Sequence, residues 1–361
     1  MKCEHMKRKC LVVGIILLFA ATGIIQAIAQ VIEKSSQSTS RGIWLYVGGS
    51  GPGNYTKIQD AINASFDGGT VFVYDDSSPY NESVRIIYSI RLLGENPPST
   101  IITSQKYCVI QILADNVTVE GFTITNMNYD YIGIQCKGNF SMVTNNIINS
   151  GGINFYNTYN TTITHNIIQG KRGIYLSETT STEIENNSIS VQSTGISLFR
   201  SSMILIANNC LNNITQGIML IESSSANVTN NIITNATFFG IYIQDTLNAN
   251  QIIGNMITSC DLGIYFCLCE NQIIKYNTIL DSEFGINLSE ANRNLITHNV
   301  FRGNTLNAVF NESYKNKWSR NFWDHPRILP YTIAGTIIIY RWPLKWFNFD
   351  WHPAQEPYTI T

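Results

Sequence analysis

Residues 217–239 of this chain read GIMLIESSSANVTNNIITNATFF, and the same pattern begins again at Gly240 with GIYI. A short run with alternating apolar residues follows each glycine, and Asn231 comes 14 residues after the first. Large apolar residues stand three positions before this asparagine and two positions after it, at Val228 and Ile233. Period-2 runs of this kind, broken by Asn, Ser and Thr, predict short strands joined by turns.

The unit repeats through most of the chain with spacings of 19 to 23 residues. The glycines are Gly133, Gly152, Gly173, Gly195, Gly217, Gly240, Gly263 and Gly285, with Asn307 in the ninth place. The asparagines are Asn146, Asn166, Asn187, Asn209, Asn231, Asn255, Asn277 and Asn299. A fixed period of this size predicts a solenoid whose units must stack to bury their apolar faces. Because three short strands fit one unit and no helical stripe is present, we predict an all-β, right-handed parallel β-helix.

Stacking gives the repeated polar residues a mechanical role. An asparagine amide both donates and accepts hydrogen bonds, so asparagines in register are predicted to form an inward ladder. The recurrent glycine suits a turn with positive φ. Upstream, residues 55–64 form a short amphipathic stretch with apolar residues at 58, 61 and 62, which we expect to cover the N-terminal end of the coil.

The chain opens with a targeting pattern. Lys and Arg precede the apolar stretch of residues 11–28, and Ala27-Ile28-Ala29 offers a cleavage site. We interpret residues 1–29 as a secretory signal, the alternative being an uncleaved membrane anchor. The predicted organisation continues with a linker over 30–42, an N-terminal cap over 43–69, the β-helix over 70–310, and a C-terminal cap and tail over 311–361.

The composition of the chain limits the kinds of molecule that it is expected to bind. The 23 Lys and Arg against 25 Asp and Glu give a net charge of −2, so no basic field is available to attract nucleic acid. Hydrophobic residues make up 44 % of the 361 residues, which excludes wholesale disorder. Contact with a membrane is expected only through an uncleaved N-terminal segment.

Six cysteines follow the predicted signal, an even number that permits disulfides in an exported protein. Their spacing fits no paired zinc motif. We favour free buried thiols over a disulfide framework, with the repeat placing Cys108 and Cys136 at inward positions. The six are Cys108, Cys136, Cys210, Cys260, Cys267 and Cys269.

Both ends of the repeat array carry recognisable segments. These are Thr56–Ile62, Gly69–Tyr74 and Leu92–Glu95 near the start, and Asn321–Asp324, Pro330–Gly335 and Trp342–Leu344 near the end. Over about residues 43–345 the chain resembles NosD-like and related carbohydrate-binding and sugar-hydrolysing (CASH) β-helix proteins. The resemblance implies the fold, and an exported family that includes lyases, hydrolases, esterases, copper-delivery factors and non-catalytic surface proteins. Related caps often carry an acidic, calcium-like loop, whereas His325–Leu329 stands here, so no calcium is expected at the cap.

Stacked rungs also predict rows of outward side chains. Two positions after each glycine, the row includes Tyr175, Tyr242 and Tyr265. Tyr242 and Tyr265 fall on neighbouring rungs, about 4.8 Å apart, which suits a platform for a sugar ring. The alternative is that tyrosine is simply favoured on sheet surfaces.

Five positions after each glycine lies a second row that contains Arg200, Glu222 and Asp245. Carboxylates on adjacent rungs are what glycosidic acid/base chemistry needs, so Glu222 and Asp245 with Arg200 form the enzyme hypothesis. A solvated turn with balanced charges is the interpretation we favour. The motifs of polygalacturonases and of calcium-dependent pectate lyases are not found in the sequence.

Copper handling is the third alternative that the resemblance raises. His165 and His298 hold equivalent positions six rungs apart, which separates them by about 29 Å. The methionines are likewise spread over many rungs. The sequence therefore predicts no cofactor and no metal site. We predict a secreted, periplasmic or cell-surface protein that binds an extracellular or envelope polysaccharide without cleaving it, with a polysaccharide-cleaving enzyme or a copper accessory protein as the alternatives.

Overall fold

The computed structural model describes residues 43–128 and 131–358. Thirteen strands stack in register to form one sheet of the coil. They are Trp44–Val47 (β1), Thr70–Val73 (β2), Arg91–Gly94 (β5), Thr118–Glu120 (β8), Met142–Thr144 (β11), Thr162–Thr164 (β14), Glu183–Glu185 (β17), Leu205–Ala207 (β20), Asn227–Thr229 (β22), Gln251–Ile253 (β24), Ile273–Lys275 (β27), Leu295–Thr297 (β30) and Lys317–Ser319 (β33). All are parallel, and each pairs with the equivalent strand of the next rung.

A second series of strands follows the ladder asparagines. It comprises Tyr80–Asn81 (β3), Ile101–Ser104 (β6), Thr123–Asn126 (β9), Ile147–Ile148 (β12), Ile167–Gly170 (β15), Ser188–Val191 (β18), Cys210–Ile221 (β21), Ile232–Thr246 (β23), Met256–Thr258 (β25), Thr278–Leu280 (β28), Val300–Arg302 (β31) and Phe322–Trp323 (β34). The long strands β21 and β23 bend across the corner and also belong to the third series.

The third series contains the strands that follow the repeated glycines. It comprises Val84–Ile86 (β4), Cys108–Ile112 (β7), Ile132–Cys136 (β10), Ile153–Tyr156 (β13), Ile174–Ser177 (β16), Thr194–Phe199 (β19), the second halves of β21 and β23, Leu262–Cys269 (β26), Phe284–Ser289 (β29), Leu306–Asn311 (β32) and Tyr331–Ile339 (β35). A final strand, Trp342–Asp350 (β36), runs antiparallel to β35. The predicted all-β parallel β-helix with rungs of about 22 residues is confirmed, with about 13 turns.

The interior is a continuous column of branched aliphatic side chains. Ile163, Ile184 and Ile206, one per rung, have no exposed surface. At the N-terminal end the one helix of the described residues, Ile58–Asn63 (α1), buries Ile58, Ala61 and Ile62 in the same cluster. The predicted amphipathic stretch is therefore helical and packs on the core as expected.

The asparagine ladder is confirmed by hydrogen bonds on every rung from Asn146 to Asn321. Asn209 shows the pattern: its Nδ2 donates to Oδ1 of Asn231 at 3.0 Å and to the carbonyl oxygen of Ile184 at 2.8 Å. The backbone N of Asn209 donates to the same Oδ1 at 3.0 Å. Each amide therefore satisfies backbone groups that the inward turn would otherwise leave unpaired.

The prediction of positive φ at the repeated glycines is wrong for all but Gly152, whose φ is 65°. The left-handed positions are instead filled by non-glycine residues such as Glu178, Arg200 and Glu222. Glycine is required for a different reason: an added Cβ at Gly217 would lie 2.2 Å from the carbonyl oxygen of Gly240. From Gly133 to Gly285, the neighbouring rung approaches too closely at this corner for a side chain to fit.

The predicted signal over 1–29 and linker over 30–42 lie outside the described residues. In the part of the chain that is described, no helix has the length and hydropathy needed to cross a membrane.

Candidate functional site

The row of outward side chains on the third series forms the candidate site, and we call it the central row. The strand register places its members one above another, from Gln111 at one end to Asn287 at the other. Between them lie Gln135, Asn154, Tyr175, Ser197, Met219, Tyr242 and Tyr265. Amides, phenols, a hydroxyl and the thioether of Met219 thus follow one line parallel to the coil axis.

A cleft of about 380 Å³ opens on this face around Tyr175. Asn154 and Ser197 of the central row form its floor and are almost fully buried. Turn residues flank it, among them Lys171 and Arg172. The cleft therefore combines hydrogen-bonding groups with two cations, a lining that suits a polar, anionic ligand.

Aromatic side chains shape the same cleft. The ring centroids of Tyr156 and Tyr175 are 5.9 Å apart, with the planes inclined by 64°. The amide of Asn154 donates to the phenol oxygen of Tyr156 at 3.0 Å, which fixes that ring. Burial raises the pKa of Tyr156 above its usual value, so its phenol remains a neutral hydrogen-bonding group. Sequence reasoning selected Tyr175 but missed Tyr156, although it lies two residues after Asn154 on the same side of the strand.

Tyr242 and Tyr265 lie on neighbouring rungs, as predicted, and their rings stack. Their ring centroids are 5.4 Å apart and their planes differ by 18°. The ring of Phe239 packs nearly parallel to both, at 4.7 Å from Tyr242 and 5.5 Å from Tyr265. Phe239 is buried and the two tyrosines are half-buried, and we call the three rings the aromatic platform. At the usual strand spacing it lies about 14 Å along the central row from Tyr175.

A hydrogen-bond chain links the aromatic platform to the turn that follows. The phenol of Tyr242 donates to Oε1 of Gln244 at 2.6 Å, and Nε2 of Gln244 donates to Oδ2 of Asp245 at 2.7 Å. Burial, the largest cause, raises the pKa of Tyr242. Gln244 was not selected from the sequence, yet its place two residues after Tyr242 puts it on the outward side.

The predicted charged residues lie at left-handed turn positions. Arg200, Glu222 and Asp245 have φ values of 49°, 50° and 53°. Nε of Arg200 donates to Oε2 of Glu222 at 2.8 Å, with 54 % and 41 % of the two side chains exposed. This ion pair raises the pKa of Arg200. Because the pair is solvated, it adds little to stability. Arg200 thus forms an ion pair with Glu222, and Asp245 accepts a hydrogen bond from Gln244. Tyr175 lies apart from these residues, in the cleft.

On the described part of the chain, the acidic, histidine and cysteine side chains do not gather into a possible metal site. Among those residues no group of three or more His, Cys, Asp or Glu side chains is placed to hold a metal. His165 and His298 each contact the hydroxyl of the preceding threonine at 2.8 Å and lie six rungs apart, as predicted. Six rungs separate the two histidines by about 29 Å, which is too far for them to share a copper ion.

The six cysteines of the described residues are free thiols. The prediction that they are buried holds for Cys108, Cys136, Cys260 and Cys269. It is wrong for Cys210, which is exposed, and only partly met by Cys267. Cys210 begins a strand on the solvent side of the ladder corner, where its side chain points away from the core.

The fold and this polar face define a class, the parallel β-helix proteins. Within that class the family model described as periplasmic copper-binding protein (NosD) matches residues 139–338, which is 200 of the 361 residues. The chain therefore belongs to the NosD family. No curated protein matches the sequence.

Solved structures with a similar fold share little sequence with this chain. The A-module of the mannuronan C-5 epimerase AlgE6 from Azotobacter vinelandii has a TM-score of 0.55 at 10 % identity and covers 73 % of this chain and 90 % of that one. A hyperthermoactive exopolygalacturonase from Thermotoga maritima has a TM-score of 0.54 at 9 % identity, covering 81 % and 90 %. The alginate lyase AlyF-OU02 has a TM-score of 0.52 at 12 % identity, covering 76 % and 80 %. At these identities the likeness concerns the fold.

Proposed function

We propose that this NosD-family protein is exported and binds an acidic polysaccharide along the central row without cleaving it. The observation that carries the proposal is the register of polar and aromatic side chains from the cleft at Tyr175 to the aromatic platform. A polysaccharide is a repeating chain, and a row with one outward residue per rung offers repeated contacts along its length. The family description as periplasmic supports export.

The cleft favours a ligand with carboxylates. Lys171 and Arg172 bring positive charge to a site that otherwise holds amides, phenols and hydroxyls. A guanidinium forms paired hydrogen bonds with a carboxylate, which a neutral sugar does not offer. The similar folds named above include an epimerase of mannuronan and a lyase of alginate, which supports the same ligand class.

Retention on a glycan array tests this proposal. We expect retention of acidic glycans, with no shortening of the retained chains. Arg172→Gln is expected to weaken retention about tenfold and to reduce its salt dependence, since one charge-assisted contact of about 1.4 kcal/mol is lost. Arg293→Gln, a cation paired with Glu270 on another part of the surface, is the matched control. Equal loss in both variants would show general electrostatic attraction instead of a site.

A polysaccharide-cleaving enzyme is the second candidate. The observation in its favour is the hydrogen-bond chain that connects the aromatic platform to Asp245, one rung from Glu222. If this candidate is correct, the protein shortens the glycan that it retains, and Glu222→Gln with Asp245→Asn abolishes the cleavage while retention survives. Cleavage that persists in the double variant would remove these carboxylates from the chemistry.

A further inference from the structure

The C-terminal hairpin of β35 and β36 leaves apolar side chains uncovered. β35 pairs with β32 only over Ala334–Thr336, so residues 337–344 extend past that neighbour. We call residues 338–346 the hairpin tip. Tyr340 is 94 % exposed and Trp342 is 74 % exposed. The other exposed large apolar residues of the tip are Ile338, Ile339, Leu344 and Trp346. So many apolar side chains on one projecting element mark an interaction site.

The base of this hairpin is fixed to the coil. Ile333 and Ile337 belong to the buried core. The ring of Tyr331 stacks on Trp323 with centroids 4.1 Å apart and planes within 8°. Asp350, at the end of β36, is fully buried and accepts hydrogen bonds from Asn321. The hairpin tip is therefore held out from a rigid base.

The turn of the hairpin carries unusual residues for its geometry. Tyr340 and Arg341 have φ values of 48° and 71°, the left-handed pair of a type I′ turn. Asn-Gly is preferred there because other side chains are strained. The turn thus places an aromatic phenol and a guanidinium at the outermost point of the hairpin.

The charged side chains around the hairpin tip are all positive. Residues 325–349 contain no Asp or Glu, whereas Arg327, Arg341 and Lys345 are present in a chain of net charge −2. Tyr and Trp favour the headgroup region of a bilayer, where the ring is half in hydrocarbon and half in water. Nearby Lys and Arg are attracted to anionic lipids. At the buried centre of a protein interface, by contrast, lysine is depleted.

We propose that the hairpin tip docks on the surface of an anionic lipid bilayer. Ile339, Tyr340 and Trp342 enter the headgroup region, and Arg341 and Lys345 contact lipid phosphates. Docking would bring the C-terminal end of the coil to the bilayer. The proposal does not depend on the ligand of the central row.

Tryptophan quenching by brominated lipid tests the proposal on the full chain. The probe is a vesicle of phosphatidylcholine and phosphatidylglycerol with bromine on the acyl chains, which quenches tryptophan emission only on close approach. We expect quenching of the wild-type protein, a large loss of that quenching in Trp342→Phe, and no loss in Trp44→Phe, whose tryptophan is 48 % exposed at the other end of the coil. The readout is local, so it holds even if another segment also binds the vesicle.

Three results would overturn the proposal. The first is the absence of quenching in the wild-type protein, and the second is equal quenching in wild type and Trp342→Phe. The third is a dimer in lipid-free solution that Trp342→Ser dissociates while lipid fails to quench, which would assign the tip to a second copy of the chain. An Arg341→Gln, Lys345→Gln variant is expected to lose the preference for phosphatidylglycerol over phosphatidylcholine vesicles; an unchanged preference would contradict the assigned phosphate contacts.

Discussion

Asp350 ends the asparagine ladder by binding Asn321. Its Oδ2 accepts hydrogen bonds from the backbone N of Asn321 at 2.9 Å and from the side-chain Nδ2 at 3.1 Å. On every earlier rung of the ladder, Oδ1 of the next asparagine accepts the same pair of bonds, as Asn321 does for Asn299. A carboxylate from the last strand therefore replaces the missing next rung and closes the coil.

Removal of this carboxylate should open the C-terminal end. Asp350→Ala leaves the two amide donors of Asn321 and the indole Nε1 of Trp323 without an acceptor. We expect a loss of about 3 to 5 kcal/mol in the free energy of unfolding, because buried donors keep their full desolvation cost. Hydrogen exchange should accelerate first at residues 321–323. Asp261→Ala, an exposed position, is the control, and equal exchange in both variants would contradict the closing role.

Replacing an asparagine of the ladder should destabilise the protein far more than replacing the exposed asparagine beside it. Asn231 accepts two hydrogen bonds from Asn209 and donates to Ile206 and Asn255, so Asn231→Ala should cost about 3 kcal/mol or more. Asn230, the adjacent residue, has a φ of 54° and is exposed. Asn230→Gly should change stability by less than about 1 kcal/mol, since glycine accepts that conformation. Urea unfolding of the two variants makes the comparison, and similar losses would refute the ladder as a stabilising element.

The loss of stability when a glycine is replaced by alanine should depend on the atoms that surround that glycine. Gly217→Ala forces a methyl group to within 2.2 Å of the Gly240 carbonyl oxygen, which should separate two rungs and cost about 3 kcal/mol. Gly53 has a φ of 87° and no atom within 4 Å of an added Cβ, so Gly53→Ala should cost only about 1 to 2 kcal/mol of backbone strain. Thermal unfolding of both variants distinguishes close approach from backbone conformation. If Gly53→Ala destabilised the protein more than Gly217→Ala, the close approach of two rungs would not explain the repeated glycine.

Thiol labelling should follow burial. In the folded protein, Cys210 should react readily and Cys267 slowly with an alkylating reagent. Cys108 and Cys136 should resist, because burial raises their pKa to about 12 and few thiolates form at mildly alkaline pH. Raising the pH toward that value should increase their labelling, since the reactive thiolate appears only near the pKa. Peptide mass mapping reads each site separately, and early labelling of Cys108 would show that its strand opens.

The period of the repeat made the coil predictable, because one apolar row and one asparagine per unit have a single consistent arrangement. Ile163 and Asn166 recur with fixed spacing, so their burial and pairing follow from the pattern. The role of Gly217 did not follow, since the sequence does not reveal which corner brings two backbones together. The pairing of Asp350 with Asn321 was equally hidden, because the last strand lies outside the repeat.

From the sequence, the candidate site could be predicted only as rows of outward side chains on stacked rungs. Stacking placed Tyr242 beside Tyr265, but the third ring of the aromatic platform comes from Phe239, which lies in a different row, in register with Gln216 and Leu262. Gln244 and Tyr156 each lie two residues further along a strand, on the outward side, and could have been found by following a second row. The cleft at Tyr175 depends on how the turn with Arg172 folds, which the repeat pattern does not specify.

The most direct test of the proposed function is the affinity of the intact protein for acidic glycans, measured together with the length of the glycan after incubation. Tyr175→Ala and Tyr242→Ala should each weaken binding about five- to tenfold, with Tyr314→Ala, an exposed tyrosine outside the central row, unchanged. The glycan should keep its length throughout. Binding that is indifferent to both central-row variants, or no binding to any acidic glycan, would contradict the account.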